Sequence, residues 1–123
     1  MIVYNKVQND YFPVIGMYYW PGERKHYFLY VDYLSSSVHV FEDVEVDIID
    51  NKIKYNLVFE YGNGGSKGLF HWSFSNMENM FENLLEYSTV AFDILINCLK
   101  DEEWFKDYCY KYCGQAYSAL YKS

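Results

Sequence analysis

The sequence VHVFEDVEVDIIDNKIKYNLVFEY, at positions 38–61, decides the fold class of this chain. Apolar side chains fall on even positions before Asp50-Asn51 and on odd positions after it, with acidic residues between them. Alternation at a period of two is typical of strands with one buried and one solvated face. Asp and Asn both tolerate the positive φ of a two-residue turn. The stretch therefore predicts a long β-hairpin in which Asp47 lies opposite Lys54.

Segments on both sides of this stretch carry a similar strand signature. Each is a short run rich in aromatic and β-branched residues that ends at turn residues. The predicted strands are Val14–Trp20, His26–Leu34, Leu69–Ser75 and a short edge strand, Met1–Tyr4. If Tyr61 lies opposite Phe70, then Glu60 lies opposite His71 on the other face. These segments predict an antiparallel meander of about five strands within residues 1–75.

The hydrophobic period changes to that of a helix after Ser75. Ser75 and Glu78 have the spacing of a capping box, and an apolar stripe runs from Met77 to Leu99. This pattern predicts one long helix that ends near Lys100. Asp101 then caps a second helix that ends at Gly114, and residues 115–123 add a final turn. The predicted apolar face of the second helix is Trp104, Phe105, Tyr108, Cys109 and Tyr112.

Strands followed by helices predict an α+β fold, in which a C-terminal pair of helices packs on one face of the sheet. A chain of 123 residues with 51% hydrophobic residues suits one domain over residues 1–123, with the helices within 76–121. No apolar run reaches the ~18–20 residues that span a bilayer, and residues 1–10 have no signal-peptide pattern. Three cysteines, an odd number, fit a reducing compartment, so we expect a cytoplasmic protein without a membrane partner.

Charge and aromatic content separate this chain from an ordinary domain. It has 17 acidic and 10 basic residues, a net charge of −7, and 22% aromatic residues, of which 15 are tyrosines. Net acidity disfavours direct nucleic-acid binding, because phosphate contacts require Lys and Arg. A basic protein partner suits this charge, and tyrosine rings suit recognition surfaces because they bury area at little entropic cost.

Acidic side chains form two sets, and the predicted helix has no Lys or Arg between Met77 and Asn97 to balance the second. The candidate partner-binding residues are Glu42, Asp43, Glu45 and Asp47, then Glu78, Glu82 and Glu86, with Trp20 and Tyr33 as aromatic anchors. Complementary charge speeds encounter and fixes orientation. We therefore expect a non-catalytic protein that neutralises a basic toxin, nuclease or defence protein. An immunity protein, an antitoxin or a phage-encoded inhibitor of a host defence would be of this type.

Two other classes of function remain open. The aromatic strands Val14–Trp20 and Tyr27–Tyr33 can line a pocket for a nucleotide- or sugar-like molecule, or an exposed aromatic face can form a homodimer. A small enzyme can use His71 oriented by Glu60, although no nucleophile motif accompanies them. We predict no cofactor and no metal. Cys109 and Cys113 lack further grouped ligands, and the glycine-rich loop 62–68 lacks phosphate-loop spacing.

Overall fold

A seven-stranded antiparallel sheet and three α-helices form the computed structural model, which describes residues 1–33, 35–61, 67–113 and 121. The strands are β1 (Ile2–Asn5), β2 (Asp10–Trp20), β3 (Lys25–Asp32), β4 (Ser37–Glu42), β5 (Val46–Asp50), β6 (Leu57–Tyr61) and β7 (Lys67–His71). The helices are α1 (Met80–Leu85), α2 (Thr89–Leu99) and α3 (Glu103–Tyr112), and short 3-10 helices span Asp43–Glu45 and Trp72–Asn76. The predicted α+β class, with strands first and helices last, is confirmed.

The long strand β2 is the centre of the sheet. Its first residues pair with β1, and its remainder pairs with β3 and also with β7. β4 and β5 lie at the two ends of the path β4-β3-β2-β1-β5, yet only the 3-10 helix Asp43–Glu45 connects them in the chain. The sheet must therefore curl strongly, and a small apolar core fills its concave side. That core contains Met1, Val3, Phe12, Val14, Tyr30 and Val46.

The predicted hairpin within residues 38–61 is wrong. β5 pairs with β1, β6 pairs with β7, and residues 51–56 form a loop between them. The Asp50 carboxylate accepts a hydrogen bond from the Lys52 backbone N–H at 2.9 Å, so Asp50 starts a loop rather than a two-residue turn. Asp47 pairs with Lys6 at 3.3 Å instead of with Lys54. Alternation identified the strands, but it carries no information about which strand becomes the partner.

Two further pairing predictions need correction. β6 and β7 do form a hairpin, but Leu57 rather than Glu60 lies opposite His71, and Tyr61 lies opposite Lys67. The N-terminal strand β1 is not an edge strand, because β2 and β5 flank it. The strand predicted at 26–34 is confirmed as β3, and its residues Leu29, Tyr30 and Val31 are buried between the two cores.

The larger core lies between the sheet and the helices. β2 and β7 contribute Ile15 and Phe70, and the helices contribute a buried stripe of Met80, Leu84, Ala91, Phe92, Leu95, Leu99, Trp104 and Phe105. A register shift between Val14 and Gly16 makes Ile15 an extra residue in β2. Gly16 leaves room for a ring on this side, because a Cβ there would lie 2.4 Å from Cδ1 of Phe70. Phe70 stacks on Phe74 with ring centroids 4.8 Å apart.

The single long helix predicted from Met77 to Lys100 is broken into α1 and α2. Tyr87 has a left-handed φ of 61°, and the Ser88 hydroxyl accepts a hydrogen bond from the Ala91 N–H, which caps α2. Ser75 does not cap a helix, since its hydroxyl donates to the Trp72 carbonyl and closes the preceding 3-10 helix. The sequence did not predict this break, because the apolar period continues through it from Met77 to Leu99.

α3 follows the prediction for the second helix, except that Glu102 rather than Asp101 occupies its N-cap position. Trp104, Phe105, Tyr108 and Cys109 are buried as predicted. The predicted stop at Gly114 and most of the final turn lie outside the described residues. No helix in the described part of the chain is long and apolar enough to cross a membrane.

Candidate functional site

The turn between β2 and β3 and the end of β4 bring four acidic residues together. We call Glu23, Glu42, Asp43 and Glu45, with Tyr27 among them, the acidic turn surface. Tyr27 lies directly opposite Glu42 in the β3–β4 pair, and its hydroxyl donates a hydrogen bond to the Glu23 carboxylate. Three of these acids, Glu42, Asp43 and Glu45, were predicted as binding residues.

Negative charge dominates the surroundings of Tyr27. The hydrogen bond to Glu23 and the nearby charges of Glu42 and Glu45 raise the pKa of Tyr27 to about 12, because a phenolate there would meet several carboxylates. Lys25 neutralises only part of this charge, through an ion pair with Glu42 at 2.9 Å. Asp43 is exposed, and Glu45 is half-buried. Arg24 lies in the same turn, so four acidic residues stand against two basic ones and the surface keeps a net negative charge.

A chain of aromatic rings joins this surface to the second predicted acidic set. Tyr27 stacks on Tyr18 at 5.1 Å between ring centroids, and Tyr18 meets the edge of Phe81 in α1 at 5.1 Å. Glu82 follows Phe81, and burial together with the Glu82 charge raises the pKa of Glu60 on β6. Glu82 thus lies near Glu60, which the sequence had assigned to His71.

An apolar groove lies next to the acidic turn surface, on the sheet face away from the helices. It has a volume of about 450 Å³ and is lined mainly by Met17, Tyr19, His26, Phe28, Phe59 and Leu69, with Asp43 at its rim. Phe59 is 54% exposed and Leu69 40% exposed. Large apolar side chains exposed together at this level mark a recognition surface in many soluble proteins.

Several predicted binding residues lie elsewhere or play another part. Asp47 lies on β5, where it pairs with Lys6. Tyr33 follows β3 at the opposite end from the acidic turn surface and packs on the core under the helices. Trp20 lies opposite Lys25 at the turn that carries Glu23. Glu78, which precedes α1 in the sequence, and Glu86, which follows it, are both exposed.

Sequence reasoning missed Glu23 and Tyr27. Glu23 belongs to the predicted turn after Pro21-Gly22. Charged residues are common in turns, so this glutamate gave no sign of a functional role. Its contact with Tyr27 was accessible from the sequence, because a tight turn places residues four apart close together. The contact of Tyr27 with Glu42 depends on the β3–β4 register and had no local signal.

His71 belongs to a buried polar cluster rather than to a catalytic pair with Glu60. His71 is fully buried, and its Nδ1 accepts a hydrogen bond from the Ser73 N–H at 3.1 Å. Its Nε2 therefore carries the proton and donates to Glu102 at 2.7 Å. The indole N–H groups of Trp72 and Trp104 donate to the same carboxylate at 2.8 and 2.9 Å.

The arrangement of Ser73, His71 and Glu102 contains the residue types of a catalytic triad, but it is closed to substrate. The Ser73 hydroxyl lies 2.8 Å from His71 Nδ1, and both residues are 0% exposed. A nucleophile must reach a reacting atom at about 3 Å, which this burial prevents. The cluster joins the start of α3 to the end of β7.

The remaining candidate chemistry is equally limited. Cys109 is buried and Cys113 half-buried in the last turns of α3. Among the described residues, no group of three or more His, Cys, Asp or Glu side chains has the arrangement of a metal site. Residues 62–66 of the glycine-rich loop lie outside the described residues. No protein-family model, curated protein or solved structure matches the chain.

Proposed function

We propose that the protein is a non-catalytic binding protein that engages a basic protein partner through the acidic turn surface. The observation that carries this proposal is the convergence of Glu23, Glu42, Asp43 and Glu45 around Tyr27, beside an open apolar groove. These acids come from two separate parts of the sequence, and folding concentrates them at one end of the sheet.

The groove adds apolar contact area, which a purely electrostatic surface lacks. Surface charge sets the rate and orientation of encounter, whereas buried aromatic and aliphatic contacts supply most of the affinity. Phe59 and Leu69 are exposed in the groove, and Asp43 lies at its rim. A fitting partner presents an apolar side chain that enters the groove, flanked by Lys or Arg side chains that meet Asp43 and Glu45.

An inhibitor of a basic enzyme or toxin has these properties. A nuclease or another nucleic-acid-binding protein must display a basic cleft, and an acidic protein can cover that cleft by charge complementarity. A cytoplasmic immunity protein, antitoxin or phage-encoded inhibitor of a host defence acts in this way. The net charge of −7 supports this type of partner over nucleic acid itself.

The test compares three tagged baits in a lysate of the source organism. The wild-type protein and an Asp93→Lys/Asp101→Lys control should retain the same basic protein, and an Asp43→Lys/Glu45→Lys variant should not. The control changes the net charge equally, because Asp93 and Asp101 are exposed acids on and after α2, outside the acidic turn surface. Washing at ~0.5 M salt, where the Debye length falls to about 4 Å, should release the partner.

Three outcomes would contradict this proposal. Equal retention of the partner by all three baits would show that the acidic turn surface is not the binding site. Loss of the partner from both charge-reversed baits would show that only net charge matters. A bait that retains no basic protein at either salt concentration would likewise overturn it.

A second candidate function uses the same groove for a small molecule. The strands that line it, β2 and β3, are those that the sequence assigned to an aromatic ligand pocket, and Tyr19 and Phe28 offer faces for stacking. A ligand of this kind would raise the unfolding temperature in proportion to the logarithm of its concentration. Screening of nucleotides and sugars by thermal shift, with a Phe28→Ala control, separates this function from partner binding.

A further inference from the structure

A cleft of about 790 Å³ lies between residues 48–54 and α3, and none of its lining residues belongs to the acidic turn surface. Its volume is within the range of small-molecule sites, about 300–1,000 Å³. One wall comes from β5 and the loop after it, and the other comes from α3.

The walls of this cleft are held in place by the half-buried Tyr55 and the buried Tyr108. The Tyr55 hydroxyl donates to the Val14 carbonyl at 2.8 Å, and its ring lies 5.1 Å from that of Trp104. The Tyr108 hydroxyl donates to the Tyr11 carbonyl at 2.8 Å. Both anchors reach the same strand, β2, so the loop and the helix keep a fixed separation. The cleft is therefore preformed, which lowers the entropic cost of binding a ligand.

Positive charge collects in this cleft although the protein is acidic. Lys52, Lys54 and Lys111 line it, against the two carboxylates of Asp50 and Asp107, in a chain whose net charge is −7. Lys54 is 3.9 Å from Asp50. Among the described residues, neither Lys52 nor Lys111 has an ion-pair partner. Lys111 Nζ lies over the Tyr112 ring, 5.4 Å from its centroid, a contact that leaves its positive charge without a carboxylate partner. Both ammonium groups can therefore meet an anion.

Apolar and aromatic groups stand beside these ammonium groups. Ile48 and Ile49 are adjacent in sequence and each is 51% exposed, on the wall formed by β5. Tyr112 lines the opposite wall, and its ring is fixed by stacking on Tyr11 at 4.6 Å. A flat ring placed between these walls would cover apolar surface that is otherwise exposed to water.

We propose that this cleft binds a small planar anion, namely an aromatic or heteroaromatic molecule that carries a carboxylate or a phosphate. The ring packs between Ile49 and Tyr112, and the anionic group meets the ammonium groups of Lys52 and Lys111. This site is independent of the proposed protein partner, because its lining residues and its charge differ from those of the acidic turn surface.

The test is a titration of ¹⁵N-labelled protein followed by amide chemical shifts. The carboxylate arm uses indole-3-acetate with neutral indole-3-acetamide as its match, and the phosphate arm uses adenosine 5′-monophosphate with neutral adenosine. At least one anion should shift the amides of residues 48–54 and 107–112. We expect it to bind at least about tenfold more tightly than its neutral match, which corresponds to ~1.4 kcal/mol.

Variants make the assignment specific. Lys52→Gln/Lys111→Gln should weaken the better anion at least about tenfold, because two ammonium groups are removed. Lys100→Gln/Lys106→Gln removes the same charge outside the cleft and should leave the affinity unchanged. Equal weakening by both pairs would overturn the proposal. So would equal affinity for an anion and its neutral match, shifts confined to the apolar groove, or no shifts with either anion up to about 10 mM.

Discussion

Two glutamates in this protein, Glu102 and Glu23, accept hydrogen bonds from aromatic side chains, and they have opposite relations to water. Glu102 is 20% exposed and accepts bonds from His71, Trp72 and Trp104 where the sheet meets α3. Glu23 accepts a bond from Tyr27 on an open surface, with Glu42, Asp43 and Glu45 nearby. The first carboxylate serves as the acceptor for three donors inside the fold. The second group leaves charge available to another molecule.

The comparison teaches that burial, rather than residue type, separates structural from recognition roles here. Removing a buried carboxylate leaves its donors unpaired, which is costly for folding. Removing an exposed one changes the free energy of unfolding very little but alters the field that a partner meets. The two regions should therefore respond to mutation in opposite ways.

The largest effect on stability is expected at Glu102. Glu102→Ala leaves three donors without their acceptor and should lower the free energy of unfolding by about 3 kcal/mol or more. Urea denaturation measures this loss. Glu103→Ala, at the next position and exposed, is the matched control and should change stability by at most about 1 kcal/mol. Similar losses for the two variants would contradict a structural role for the Glu102 cluster.

The next effect concerns the fit between Gly16 and Phe70. Gly16→Ala places a Cβ 2.4 Å from Cδ1 of Phe70 and should cost about 1–3 kcal/mol through overpacking. A double-mutant cycle with Phe70→Leu checks the cause, because a smaller side chain relieves the contact. If Gly16→Ala cost as much in the Phe70→Leu background as alone, the ring contact would not be the reason.

A pH effect should follow from His71. Burial lowers the pKa of His71 below its usual 6.5, although Glu102 opposes this change. The unfolded chain therefore takes up the proton first, and stability should fall as pH drops below about 6.5, by up to ~1.4 kcal/mol per pH unit until the folded pKa is reached. Urea midpoints at pH 7.5 and 5.5 measure this. His71→Gln should flatten the dependence, whereas His26→Gln, at an exposed position, should preserve it.

The smallest effect on stability is expected in the acidic turn surface. Asp43→Lys/Glu45→Lys should change the free energy of unfolding by no more than about 0.5 kcal/mol, since Asp43 is exposed and, within the described part of the chain, neither side chain forms an ion pair that could be lost. Thermal and urea unfolding test this directly. A large loss of stability would mean that these acids serve the fold, as Glu102 does.

The strands and the faces of the helices were largely predictable, because they depend on local periodicity. Val14–Trp20 lies in β2, His26–Leu34 corresponds to β3, and the buried face of α3 matches its predicted residues. The partners of β5 and β6 were not predictable, because pairing over long separations depends on packing that alternation does not encode. The break at Tyr87 rests on one left-handed residue and the Ser88 cap within an unbroken apolar stripe.

The candidate site was also predictable only where its residues are close together in the sequence. Glu42, Asp43 and Glu45 are consecutive or nearly so, and their common charge was visible in the sequence. Their association with Glu23 and Tyr27 required the register of three strands. The same limit explains His71, whose partner Glu102 lies 31 residues away at the start of α3 rather than in the neighbouring strand.

The most direct test of the account is the affinity of the purified partner, measured by calorimetry for the wild-type protein and for Asp43→Lys/Glu45→Lys at ~0.05 and ~0.5 M salt. The account predicts that salt weakens wild-type binding, and that the variant binds at least about tenfold more weakly at low salt while keeping wild-type stability. Equal affinities for the two proteins, or wild-type binding that does not change with salt, would contradict recognition through the acidic turn surface.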